Sequence, residues 1–98
     1  MAQLEISILA LGRPGTSASE YVAAAIRVAQ RYGVKYELTA MGTTLEGDVD
    51  TLLKVAREMH EAPFGMGIQR VYSVIKIDDR RDRESTLEGK VQSVEAKV

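Results

Sequence analysis

The sequence predicts an α+β fold: a βαββαβ sandwich with an antiparallel four-stranded sheet, both helices on one of its faces, and a further C-terminal helix. Three observations carry that expectation. Apolar residues alternate with period two in strand-length segments, two longer segments repeat them three and four positions apart, and only two residues separate the middle strands.

The first strand spans residues 3–10, where Leu4, Ile6 and Ile8 alternate with Glu5 and Ser7. Gly12-Arg13-Pro14-Gly15 ends it. Ser17 and Glu20 have capping-box spacing, and Val22, Ile26 and Ala29, flanked by Ala18 and Ala25, form the apolar face of a first helix that Gly33 stops. Residues 34–40 then alternate Val34, Tyr36 and Leu38 against Lys35, Glu37 and Thr39, and a shorter strand follows at 42–46. Met41 and Gly42 are the available turn, so these two strands form a hairpin. Asp48 caps a second helix, with Asp50 in its first turn and Val49, Leu52, Leu53, Ala56 and Met59 as its buried stripe. Pro63, Gly65 and Gly67 break it, and residues 70–77 form a β-branched fourth strand. This order is that of ferredoxin-like domains.

The domain is expected to occupy residues 1–83, with 84–98 as a helical tail. Ser85 and Glu88 have capping-box spacing, and Leu87, Val91, Val94 and Val98 make a narrow stripe interrupted by Gly89. Such a helix needs a surface to dock on, either its own sheet or, as expected here, a partner subunit. With Leu4, Ile6, Ile8, Val71, Ile75 and Ile77 toward the helices, the opposite face presents Glu5, Ser7, Leu9, Tyr72, Val74 and Lys76, a half-apolar surface suited to self-association. Thr-Leu-Glu-Gly occurs at 44–47 and again at 86–89, without a repeat period around it.

Composition excludes whole classes of function. The 98 residues contain no cysteine and no asparagine and a single histidine, which removes disulfides, thiolate metal sites, thiol nucleophiles and imidazole clusters. Thirteen basic against 14 acidic side chains leave a net charge of −1, too little positive charge for a general nucleic-acid footprint. The start of the chain lacks the pattern of a signal peptide and no segment is long and apolar enough for a bilayer, so a cytoplasmic location is expected. Residues 76–90 concentrate ten of the 27 charges with balanced sign, the pattern of an ion-pair network.

The local chemistry points away from catalysis and from metal binding. His60, at the edge of the second helix's stripe, has no identifiable catalytic partner. Arg13 precedes a helix start as in an acylphosphatase loop, but the asparagine that such an enzyme uses to place water is missing. The aromatic strand positions of an RNA-recognition domain are also largely absent. Thr43 and Ser73 fall on the helix side of the sheet, where they either satisfy nearby carbonyls or orient a small heteroaromatic ligand.

Two segments carry a family resemblance: Met41-Gly-Thr-Thr-Leu-Glu-Gly47 leading into a helix that ends at His60-Glu61, and residues 70–82 with Gly89-Lys-Val-Gln-Ser-Val94. Together they resemble the thiamine-binding, YkoF-like family of small ferredoxin-like proteins. The resemblance implies a homo-oligomer, dimer or tetramer, that binds thiamine or its hydroxymethylpyrimidine part without an established reaction. For such a ligand the chemistry suggests Thr43, Ser73 or Ser7 for hydrogen bonds to the pyrimidine, Glu46 as counter-charge to the thiazolium, and Tyr36 or Tyr72 for stacking. No cofactor, metal, nucleic acid or membrane is expected, and the alternative function is an oligomerisation module without a small-molecule ligand.

Overall fold

Four antiparallel strands in the order β2-β3-β1-β4 form the sheet: β1 Ala2–Leu11, β2 Lys35–Thr39, β3 Gly42–Gly47 and β4 Arg70–Asp78. Helices α1 (Ser19–Tyr32) and α2 (Val49–Glu61) connect them, and α3 (Leu87–Glu95) closes the chain. The computed structural model describes residues 1–12 and 18–98. The topology is the expected ferredoxin-like one, and no helix among the described residues is long and apolar enough to cross a membrane.

The core lies between the sheet and α1 and α2. Leu4 and Ile6 of β1 and Leu45 of β3 meet Ala25, Val28 and Ala29 of α1 and Leu52, Val55, Ala56 and Met59 of α2. The buried positions of α2 are thus i, i+3, i+4 and i+7 from Leu52. Leu53, expected in the stripe, stands about 100° round the helix from Leu52 and is exposed, while Val55 takes the inward place.

Local chemistry sets the element ends. Gly33 ends α1 in the left-handed region, at φ 69°, where a side chain would be strained. Ala18, not Ser17, occupies the cap position of α1 and makes no side-chain cap; Ser17 and Arg13 lie outside the described residues. The Asp48 carboxylate caps α2 by accepting from the Thr51 amide at 3.0 Å, a bond that holds its pKa below the ordinary aspartate value. Pro63 does not stop the chain's helical path at once, because it enters a 3-10 turn, Ala62–Met66, at a position whose N–H is not needed. The hairpin turn is Ala40-Met41 rather than Met41-Gly42, held by the Thr39 hydroxyl, which donates to the Gly42 carbonyl and accepts from the Met41 amide.

The outer face differs between its two ends. Lys35, Glu46, Gln3 and Asp78 form one row across all four strands, and the start of α3 lies on it. Gln3 Nε2 donates to the Ser85 carbonyl at 2.8 Å, Lys35 Nζ pairs with both Glu46 and Glu88, and Lys90 pairs with Asp78. The two Thr-Leu-Glu-Gly strings therefore meet on one lysine, one as strand and one as helix. Thr86, not Ser85, caps α3 by accepting from the Gly89 amide at 3.0 Å. Gly89 is part of that cap, since a Cβ there would come within 3.0 Å of the Thr86 hydroxyl. Only the first turn is anchored: Leu87 is buried, whereas Val91, Val94 and Val98 are exposed, as are Leu9, Tyr72 and Val74 at the other end of this face.

Candidate functional site

A cavity of about 650 Å³ opens between α1, β1 and the β2–β3 hairpin, within the range of small-molecule sites. Its position follows from strand lengths. The pairing of β1 with β3 ends at Ile6–Thr43, while β1 continues to Leu11 against β4. Past Ile6 the hairpin tip and α1 therefore face each other with no strand to fill the gap.

Ile6 and Ile8 of β1, Val22 and Ile26 of α1 and Met59 of α2 make the apolar wall, and Leu38 and Met41 of the hairpin stand at its mouth. Thr43 brings a hydroxyl into this wall from a buried position, 4% exposed. Gln30 and Arg27 of α1, both exposed, border it; Gln30 Nε2 donates to the Tyr36 hydroxyl at 3.1 Å, and Arg27 also borders the groove that holds Glu58 and Glu61. Gly42 allows the hairpin to lie this close, because a Cβ there would be 3.1 Å from the Ile6 carbonyl oxygen.

The residues singled out from the sequence are not gathered at one place. Thr43 and Ser7 line the cavity, Ser7 just past the last β1–β3 pair, although its register turns its side chain toward the outer face beside Val74. Tyr36 is one step removed, on the helix side of β2 and bonded to Gln30. Ser73 lies on β4, on the helix side but away from the cavity, where its hydroxyl is 2.7 Å from His60 Nδ1. His60 thus has the partner that spacing did not identify, and its ring meets Phe64 edge-on at 5.6 Å. Glu46 and Tyr72 are on the opposite face: Glu46 is buried beneath α3 and paired with Lys35 at 3.2 Å, and Tyr72 is exposed beside Leu9.

The Glu46 cluster has the electrostatics of a structural clamp. Lys35 is raised above the ordinary lysine pKa by its bond to Glu88 and then by that to Glu46, and Glu88 is lowered by Lys35. Among the described residues Glu46 Oε1 is a buried oxygen without a hydrogen-bond partner.

Arg27, Gln30, Leu38 and Met41 were not legible as site residues from the sequence. Arg27 and Gln30 read as the polar side of an amphipathic helix, and Leu38 as a core position. An apolar hairpin tip at Met41 was the available signal, since turns between strands are ordinarily polar.

Comparison with known proteins agrees with this architecture. Residues 4–95 match the family of thiamine-binding proteins. A UPF0045 protein of Methanothermobacter thermautotrophicus is 43% identical over 99 residues, covering all of both chains. A solved structure of a hypothetical protein from Methanocaldococcus jannaschii is 44% identical with a TM-score of 0.88, covering 96% of this chain and 95% of that one. A Thermotoga maritima protein named for thiamine biosynthesis or salvage shares the fold at 22% identity, with a TM-score of 0.78 over 95% of this chain and 97% of its own. With nearly its whole length matched, the chain belongs to the thiamine-binding protein family.

Proposed function

We propose that this chain is a cytoplasmic, non-enzymatic binder of thiamine or its hydroxymethylpyrimidine part, a carrier or sensor, and that the ligand occupies the cavity between α1, β1 and the hairpin. The observation that carries the reading is that Met41, Gly42 and Thr43, the opening of the segment on which the family resemblance rests, are themselves cavity wall. A flat heteroaromatic ring suits apolar walls with a few directional polar groups. Thr43 and Gln30 offer donors and acceptors to a ring edge.

Titration calorimetry and thermal shift with thiamine and with hydroxymethylpyrimidine test this. Binding is expected for at least one, weakened about fivefold to tenfold in Thr43→Val, the loss of one hydrogen bond of roughly 1 kcal/mol. No heat and no shift at millimolar ligand would refute it.

The working unit in this proposal is a homo-oligomer, dimer or tetramer. Exposed Tyr72, Val74, Ile75 and Ile77 on edge strand β4, Val91 and Val94 on α3, and Val98 beyond it support association. They equally favour the second reading, an oligomerisation module without a ligand. Deleting residues 91–98 leaves the anchored first turn in place, and a smaller species in sedimentation is expected; unchanged mass would count against a tail-mediated interface.

A further inference from the structure

We propose that two copies of the chain join edge to edge along β4, antiparallel about a two-fold axis at Val74, so that two four-stranded sheets become one continuous sheet. This surface deepens the homo-oligomer reading above and rests on it.

Strand β4 is nine residues long and, among the described residues, pairs only on its β1 side, which leaves the backbone N–H and C=O groups of its other side open. The devices that ordinarily protect such an edge are missing. No proline or glycine interrupts Arg70–Asp78, its register with β1 is continuous, and its one lysine, Lys76, is drawn inward to Glu5 of β1 at 3.4 Å.

The strand is self-complementary about Val74. With Val74 opposite Val74 of the partner subunit, all nine residues overlap and Arg70 faces Asp78 of the partner subunit at each end. Arg70 is exposed and adjoins Leu11 on its own sheet, so no acid faces it there; Asp78 is bonded to Lys90 yet exposed enough to take a second cation. Tyr72 lies along the aliphatic stem of the partner's Lys76. On the helix side Ile77 and Ile75 gain the partner's Val71 and the partner's Ser73 as cross-strand neighbours.

Other registers lose this match. A one-residue slip sets the outer face of one copy against the helix face of the other. An axis at Ser73 places Arg70 opposite the partner's Lys76, and an axis at Ile75 places it opposite the partner's Arg80, both like-charge pairs.

Sedimentation of full-length variants tests the register. Arg70→Asp opposes two acids at each end and Asp78→Arg two cations, so each alone is expected to self-associate at least about tenfold more weakly than the unaltered protein. Mixed together, the two variants regain both ion pairs and should form a one-to-one heterodimer. Because the chain has no cysteine, Val74→Cys gives a second readout: a short thiol cross-linker should join two copies there and not at Lys54→Cys on exposed α2 surface. Undiminished association of Arg70→Asp, no heterodimer from two folded variants, or no selective cross-link at position 74 would overturn the proposal and leave the homo-oligomer reading standing. An unaltered protein that stays monomeric at every concentration would remove that reading, and this one with it.

Discussion

Strands β1 and β4 run side by side, with Leu4 beside Ile77 and Ile6 beside Ile75, all four on the helix side of the sheet. Their burial nevertheless differs: Leu4 and Ile6 are 0% and 2% exposed, Ile77 and Ile75 45% and 46%. Alternation assigns a side chain to a face, but a helix has to lie above it before it is buried. Helices α1 and α2 pack over the centre of the sheet; α2 reaches β4 at Ser73, through His60, and leaves Ile75 and Ile77 uncovered at the rim. Long apolar edges of this kind are ordinarily protected by charge, by a bulge or by another chain.

The largest test of this contrast is a pair of truncations. Leu4→Ala should cost about 2–5 kcal/mol and Ile77→Ala less than about 1.5 kcal/mol in denaturant unfolding at low protein concentration. A cost for Ile77→Ala that grows with protein concentration would show that a second copy covers the edge.

A second test concerns the other neighbour of β1. Gly42→Val places a Cβ against the Ile6 carbonyl, and a loss of about 1–3 kcal/mol is expected, together with weaker ligand binding. Binding unchanged in a folded Gly42→Val protein would move the ligand site away from the hairpin.

Association should respond to charge on the rim. Ile77→Asp is expected to lower the sedimenting mass while costing the monomer no more than about 2 kcal/mol, since Ile77 is half exposed. The same substitution at Leu4 should unfold the chain.

The smallest expected effect is that of pH on α3. Glu88 is lowered by Lys35, so its contribution is present above the ordinary glutamate pKa and is lost as pH falls through the depressed one. Lys35 is raised, so its contribution holds below the ordinary lysine pKa and is lost as pH rises through the elevated one. Both groups are solvent-exposed, so salt should mute the effect. The methyl resonances of Leu87 should report loosening of α3 at both extremes, with those of Leu4 unmoved.

Much of the fold was legible because its signals are local. Alternation in β1, the Asp48 cap and the Gly33 stop each depend on neighbours within a few residues, and each recurs in the structure. The candidate site was only partly legible. Thr43 was found because its strand parity puts it on the helix side and its position is near the hairpin. Glu46, three residues on, has the opposite parity, which places it on the other face from the cavity. Ser73 shares the face of Thr43 but stands on β4, beside His60 rather than beside the hairpin.

The order of strands and helices, the faces they present and the restriction to a chemistry without thiols were determined by the sequence itself, because periodicity and composition need no knowledge of distant residues. The cavity, the exposure of β4 and the docking of the first turn of α3 were decided by tertiary structure. Each depends on where elements end relative to partners far away in the chain: the β1–β3 pairing stops at Thr43, the helices do not extend over Ile75 and Ile77, and Lys35 happens to stand between Glu46 and Glu88. Lengths and register in three dimensions, rather than local preference, made an ordinary sheet leave an open site at one end.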